Sequence, residues 1–574
     1  MNIAGTLTIG VAAHRDLVES EIPGLEQQLS KFYQELQAEL PGLDIKLITQ
    51  LAEGGDQLAA RLALDSGFDL VTVLPMPQQH YESDFSSTEA ITDFRALLDR
   101  SNQVIELPLE PQTEGLDQKH RDRQYARAGI FTSNHCQVLL AIWDGRNAEH
   151  LGGTASVLHY HLTGVMDGLD DEEAPTSLLA DDESELAFHI VCSRNRMGGE
   201  PAIPLEPLNS GWMTMPFSAT RSDRMPDSFR IMLARLQEFH EDREKYRQAI
   251  SSEGHSLLDD VPGLPLPDGI TVVDHLYQSA DWLAIVYQKR VNRILMGTYS
   301  LAVFMGLVFI LYSEDVGPTY LVLVFVAIFF FSIVVQKVAD RRQWHRKYLD
   351  YRALAEGLRV QLYWSLAGIV ETRSAEFAYT NYLQKQDVEL GWIRHVMRSA
   401  SLTRSRQHPP ETGWVDWVIE CWIGPGEQAL QQENQGGQLA YYSRKRSLNA
   451  ANYKMTSRLG NVSLWSGIGI AVVLAIISSQ IEGSTRTLLL ILMGMLPLIA
   501  GVRDAYSHKK AEKELIKQYD YMARVFGNAR RLLADSTDLQ FRRRVLRALG
   551  QAALEEGAEW ILMHRERPLE HTPL

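Results

Sequence analysis

Residues 294–312, ILMGTYSLAVFMGLVFILY, and 316–336, VGPTYLVLVFVAIFFFSIVVQ, decide the broad architecture of this chain. The first run holds 19 residues and the second 21, without a single charge. At about 1.5 Å of rise per residue, either run coiled as a helix covers a hydrocarbon layer about 30 Å thick. A second pair lies further on. Residues 459–481 are uncharged, and so are 487–502, although that last run has only 16 residues, contains Pro497 and stands between Arg486 and Arg503. Snorkelling arginines or a kink at the proline would each account for its shortness. Four transmembrane helices in two hairpins are therefore expected, within 286–370 and 441–574, each hairpin running on into a polar helix.

The flanks give an orientation. Lys289, Arg290 and Arg293 precede the first run, and Lys337, Arg341, Arg342, Arg346 and Lys347 follow the second. Arg444, Lys445, Arg446, Lys454 and Arg458 precede the third, and Arg503, Lys509, Lys510 and Lys513 follow the fourth. The turns between paired runs hold only Arg486. Basic residues stay on the cytoplasmic side, so both turns are expected outside, with both termini and every large segment in the cytoplasm. The hairpins also look like copies of one unit. Each opens on a tyrosine with basic residues (287–293; 441–446), and each ends in a similar polar helix (351–359; 521–530), about 170 residues apart.

The first three runs contain no Asp, Glu, Lys or Arg, whereas an ion-coupled transporter needs such groups near the bilayer centre. Gly297, Ser300, Gly306, Ser466, Gly467 and Gly469 would serve close helix packing or line a pore. Between the hairpins, in a connector over 371–440, Trp392, Trp414, Trp417 and Trp422 suggest amphipathic helix, packed on its own domain or lying at a membrane surface.

The other half of the chain is polar. The formal net charge of −16 argues against nucleic acid as a partner, since coating phosphates calls for a basic face. Three separated cysteines form neither a disulfide framework nor a zinc site, so no metal is expected. The opening MNIAGTLTIGVAAHRDL lacks a basic region before an apolar core and reads as a strand rather than a targeting segment. Over residues 1–200 apolar runs at 6–12, 44–51, 70–75, 138–143 and 188–192 alternate with helical stretches at 26–40, 57–66, 124–133 and 152–161. That alternation predicts a doubly wound α/β domain. An acidic loop at 167–185 reads as a solvated insertion, and 201–285 as a helical, Pro-rich connector.

Open α/β sheets bind ligands beyond the carboxyl ends of their strands. Three glycine-bearing junctions fall there: Gly10 with His14 and Arg15; Glu53, Gly54, Gly55, Asp56 and Gln57; and Asp144 and Gly145 followed by Gly152, Gly153 and Thr154. Glycine lets a backbone approach a phosphate, and a helix N-terminus favours an anion. These thirteen residues are the candidate ligand-binding set, with Arg15 as a phosphate clamp and His14 as either a polar loop residue or a reactive group.

IGVAAHRDL, LAEGGDQLAA, DLVTVLP and the VLLAIWDG…GGTA segment resemble the SLOG superfamily over about residues 5–200. This is a Rossmann-like nucleotide-binding group that includes the cytokinin-activating phosphoribohydrolases. The first hairpin with its YRALAEGLR helix is similar to the two-span SLATT modules that accompany such sensors in bacterial conflict systems. The resemblance implies a nucleotide-derived ligand, oligomerised hairpins in an inner (cytoplasmic) membrane, and a role in anti-phage defence. The phosphoribohydrolases carry a PGGxGTxxE motif with a catalytic glutamate. Here Leu151-Gly152-Gly153-Thr154-Ala155-Ser156-Val157 has no glutamate after it, which favours binding over hydrolysis. A membrane-tethered hydrolase with Asp56, Asp144 or Glu53 as its acid, and a passive scaffold, remain the rivals.

The orientation can be checked directly. A reporter active only in the cytoplasm is expected to work at both termini and near residue 400, and to be silent at 315 and 484. Activity at 484 would mean that the fourth run does not cross.

Overall fold

The computed structural model describes residues 6–109, 117–147, 150–169, 185–214, 220–259, 261, 263, 266–267, 269–314, 318–369, 388–402, 412–425, 437–477, 480–481 and 483–565. The chain divides into two compact units. One comprises Met1–Ser252, Leu266–Leu276 and Val370–His408; the other comprises Glu253–Pro265, Tyr277–Ile369 and Pro409–Leu574. Most of the acidic loop, residues 170–184, lies outside the described residues.

The first unit is built on one sheet: β1 (Thr6–Ala13), β2 (Asp44–Thr49), β3 (Asp69–Leu74), β4 (Gln103–Glu106), β5 (Val138–Trp143), β6 (Leu186–Val191), β7 (Ser210–Thr214) and β8 (Thr220–Ser222). Their spatial order is β4-β3-β2-β1-β5-β6-β7-β8. The first six run parallel, and the β7–β8 pair is antiparallel at the edge. The order therefore runs outward in both directions from β1. The principal helices around the sheet are α1 (Ile22–Glu39), α2 (Gly55–Asp65), α3 (Thr88–Asp99), α4 (Gln118–His135), α5 (Thr154–Thr163) and α6 (Asp227–Lys245). On β6, Ala187 packs into the cluster of α4 and α5, while its neighbour Phe188 stacks on Phe32 of α1 at 4.2 Å. Successive strand residues point to opposite faces, so helices cover both faces of the sheet. That is why β1 is buried along its whole length, with only Ala13 partly exposed, and reads as a continuous apolar run.

Three strands were not foreseen. β4 is a short edge strand whose residues alternate between half-buried and exposed, and β7 and β8 carry glycine and polar residues. The connector between the hairpins holds a further surprise: α10 (Gly391–Ser401) belongs to the first unit. (α7, Ile270–Ser313, α8, Leu321–Arg342, and α9, Trp344–Ala367, precede it in the chain.) Gln137 donates to the Ser399 hydroxyl at 2.9 Å and to the His395 carbonyl at 3.2 Å, and Arg398 pairs with Glu185 at 2.6 Å. Trp392 packs on Phe239 of α6. All four tryptophans of this stretch are buried in protein, which settles the choice between domain packing and a membrane surface.

The second unit is helical: α7 (Ile270–Ser313, beginning in the first unit), α8 (Leu321–Arg342), α9 (Trp344–Ala367), α11 (Gly437–Ile477), α12 (Ser484–Lys509), α13 (Glu512–Ala534) and α14 (Leu539–Arg565). Among the described residues, four helices are long and apolar enough to cross a membrane. Their apolar stretches are scarcely buried by protein: Phe330 is 61 % exposed, Trp465 69 % and Ile476 74 %. Leaving one such side chain in water instead of hydrocarbon costs about 2 kcal/mol, so these surfaces call for lipid. The fourth run lies in a helix that continues to Lys509. The Arg503 guanidinium is not left to snorkel; it donates to Thr456 Oγ1 at 2.9 Å and to the Tyr453 carbonyl at 3.3 Å on α11.

The two copies share one irregularity. After its second apolar helix each breaks at a non-glycine residue with positive φ, Gln343 (47°) and Ala511 (51°), 168 residues apart (511 minus 343). The helices that follow are not membrane helices. α9 is buried along most of its length, and its Trp364 donates to the Leu546 carbonyl of α14 at 3.1 Å. Gly306 and Gly467 are packing positions: a Cβ would stand 2.2 Å from Leu498 and 2.6 Å from Pro497, whereas one at Gly297 or Gly469 would meet open space. Gly467→Leu is expected to lower the apparent melting temperature of the detergent-solubilised chain, consistent with overpacking of about 1–3 kcal/mol. Gly469→Leu, two residues on, is expected to leave it unchanged; equal effects would refute this contact.

Candidate functional site

Where the strand order turns, a cavity of about 470 Å³ opens beyond the carboxyl ends of the paired strands β1 and β5. Its wall comes from residues 13–16 after β1, from Trp143, Asp144, Arg146 and Asn147 at and after β5, from the start of α5, from α4 and from Arg194. The size suits a ligand as large as a nucleotide.

Of the thirteen residues expected at the site, seven line this cleft: His14, Arg15, Asp56, Asp144, Gly152, Gly153 and Thr154. The other six do not, and each has a packing task instead. Gly10 lies within β1, where a Cβ would press on Cys136 and Thr132 of α4 at 2.8 and 3.0 Å. Gly54 has φ 84°, and a Cβ there would come within 2.2 Å of the Arg15 carbonyl. The Gly55 N–H donates to the His14 carbonyl at 3.0 Å, so it is already engaged and is not available to an anion. Glu53 accepts from the Ser86 backbone at 2.7 Å, and Gln57 donates to the Leu51 and Ala90 carbonyls. Gly145 takes positive φ beside Leu205. The second glycine junction thus binds two loops of the protein to one another.

The third junction is more open. Gly153 precedes α5, no side chain caps that helix, and Thr154 and Ala155 of its first turn line the cleft. Helix N-termini carry a partial positive charge and N–H groups without intrahelical partners. Gly152, at φ 78°, lets this turn lie against α4, where a Cβ would come 2.5 Å from the Ala126 nitrogen.

Arg15 sits over the Tyr125 ring at 5.0 Å. Burial works against its charge, but Tyr81, Tyr125 and Asp56 together push its pKa up, so the guanidinium stays ionised. Tyr125 is itself aimed by a relay: its hydroxyl donates to Asp84 at 2.5 Å, and Asp84 accepts from Arg121 at 2.6 and 2.7 Å. None of these three was picked out from the sequence. The only local signal was the basic and aromatic run RDRQYAR on the face of α4, which looks like any solvated helix.

At the floor of the cleft His14 Nε2 stands 3.2 Å from Asp144 Oδ1. His14 Nε2 and Asp144 Oδ2 are both buried without a hydrogen-bond partner, and burial pulls the His14 pKa down despite the carboxylate. Nearby His189 donates to the Trp143 carbonyl at 3.0 Å and falls to about 4 through burial. Asp56 accepts from Thr49 Oγ1 at 2.9 Å, yet burial raises it to about 6, with the Thr49 hydroxyl and Arg15 pulling the other way. Among the described residues no group of three or more His, Cys, Asp or Glu side chains is placed to hold a metal ion.

The two kinds of shift act on stability with opposite sign. His189 takes up a proton more readily when unfolded, so it costs stability as pH falls from about 6.5 towards 4. Asp56 holds its proton more tightly when folded, so its cost appears as pH rises from about 4 through 6. Asp56→Asn is therefore expected to raise the apparent melting temperature at pH 7.5, by an effect of about 2 kcal/mol, and to leave it unchanged at pH 4. A gain of the same size at both pH values would show that the buried charge is not its source. The chain matches no family model and no curated protein, so what the cleft takes up has to be inferred from its own chemistry.

Proposed function

We propose that the first unit is a Rossmann-like sensor for a nucleotide-derived ligand, and that its occupancy governs the membrane-spanning helices, which act as a pore or disrupt the bilayer in a homo-oligomer. The observation that carries this reading is the pairing, in one cleft, of an ionised arginine over a tyrosine ring with an uncapped helix N-terminus. Arginine and free backbone N–H groups hold a phosphate, while Tyr125 and Trp143 offer flat apolar surface to a base. Six parallel strands ordered outward from β1 are the arrangement in which such ligands bind at the turn of the order. The basic flanks of the spans support termini and large domains in the cytoplasm, and the likeness to SLOG and SLATT sequences adds a place, an inner membrane in anti-phage defence.

One observation favours a second reading, a membrane-tethered nucleotide hydrolase. His14 Nε2 stands 3.2 Å from Asp144 Oδ1 in the cleft, a buried histidine–carboxylate pair of the kind a general base and its orienting partner form. Both readings need the ligand; only one consumes it.

The test is a thermal-shift screen of the detergent-solubilised full chain against cyclic and linear nucleotides, with mass spectrometry of the same mixtures. At least one nucleotide is expected to stabilise the chain and be recovered intact. Arg15→Ala is expected to weaken that binding about 30- to 150-fold, the loss of a charge-assisted contact of about 2–3 kcal/mol. No stabilisation by any nucleotide would refute the sensor, and a cleaved product would establish the hydrolase.

A further inference from the structure

The chain builds the same joint twice, where each second apolar helix ends. In the first copy Arg290 lies 5.0 Å and Lys347 5.4 Å from the centre of the Tyr287 ring. In the second, Arg503 lies 5.1 Å and Lys513 5.8 Å from the centre of Tyr453. Tyrosine and lysine are 60 residues apart in each copy (347 minus 287, 513 minus 453), on either side of the break at Gln343 or Ala511. Arg290 and Tyr287 share one helix, while the contacts from Lys347, Arg503 and Lys513 hold outgoing helices against the incoming one.

The joints differ in what becomes of their charge. In the first, Lys347 is buried and the adjacent Arg346 pairs with Asp350 at 3.0 Å. In the second, Lys513 is exposed, and Lys510 reaches over the Tyr506 ring at 5.1 Å. Among the described residues no carboxylate lies within ion-pair distance of Lys510 or Lys513. Arg503 meets Asp504 at 3.7 Å, and its Nε is buried without a partner. Of these three cations, Arg503 alone has a carboxylate within ion-pair distance among the described residues, directly after the apolar run 487–502. The same helices expose Met455, Leu459 and Ile499, which hydrocarbon covers and water does not.

We infer that this second joint binds the phosphate headgroup of an anionic phospholipid in the leaflet at the basic ends of the spans. The inference rests on the reading that the four helices cross a bilayer, and is independent of what the cleft in the first unit binds. Surface lysines and arginines attract anionic headgroups, and tyrosine rings sit where chains meet headgroups. Arg503, with its Nε buried and unclaimed, is a cation held in one place beside these lysines, which a diffuse basic belt would lack. Apolar neighbours favour an anion that arrives with acyl chains over one free in solution.

The experiment places the full chain in nanodiscs of phosphatidylcholine alone or mixed equally with phosphatidylglycerol, and counts retained lipid by native mass spectrometry. The chain is expected to retain phosphatidylglycerol selectively. Lys510→Gln with Lys513→Gln, both side chains lying outside the core, is expected to weaken retention about tenfold or more, as loss of two headgroup-facing cations should. Lys337→Gln with Arg341→Gln removes the same charge beside the first hairpin and is expected to change retention by less than about twofold. Equal losses in the two pairs would overturn the site in favour of diffuse attraction. Displacement of the lipid by millimolar inorganic phosphate would overturn the lipid assignment in favour of a soluble anion. Failure to enter nanodiscs of either composition would remove the spanning reading, and the site with it.

Discussion

Side chains such as Phe330, Phe331, Trp465 and Ile476 stand largely exposed on their helices, uncovered by the other described residues. Water cannot stabilise that surface, and each helix is long enough to place it in hydrocarbon. Much of the remaining design follows from that constraint. Backbone groups within the apolar runs must be satisfied inside each helix, which confines breaks such as Gln343 and Ala511 to positions beyond them. Polar joints gather where the runs stop, with cations stacked on Tyr287 and Tyr453. The apolar runs themselves offer little for holding a polar ligand, whereas the other unit carries a cleft with charged and polar walls.

In the α/β unit the governing feature is close approach between loops. Gly54 and Gly55 let the turn before α2 lie against the residues after β1, and the His14 carbonyl accepts from Gly55 while the His14 N–H donates to Ile142. These bonds fix His14 and Arg15 at the cleft. The Arg121–Asp84–Tyr125 relay then sets the ring on which Arg15 rests. The glycines of the second junction therefore act at one remove: they hold the side chains that line the cleft, while the third junction leaves a helix N-terminus without a side-chain cap.

The apolar runs were legible because hydropathy is a local property, and the strands of the central sheet because both faces are covered and they read as unbroken apolar runs. The glycine junctions were legible as junctions but not by role. A glycine that admits a phosphate and one that admits another loop leave the same mark in a sequence, and only the Cβ distances to Arg15, Ala126 and Cys136 separate them. Tyr125 and Asp84 were hidden because their partnership spans 41 residues and neither belongs to a motif. The place of Gly391–Ser401 in the first unit was further out of reach. It depends on Gln137 meeting Ser399, 262 residues away, and on Arg398 meeting Glu185.

The central claim is that the cleft and the apolar helices form one device. It is tested most directly by dye leakage from liposomes carrying the purified chain, before and after addition of the nucleotide that stabilises it. The account predicts leakage that rises on addition in the parent chain and is absent in Arg15→Ala. Tight binding with no change in leakage, while the nucleotide is consumed, would contradict it.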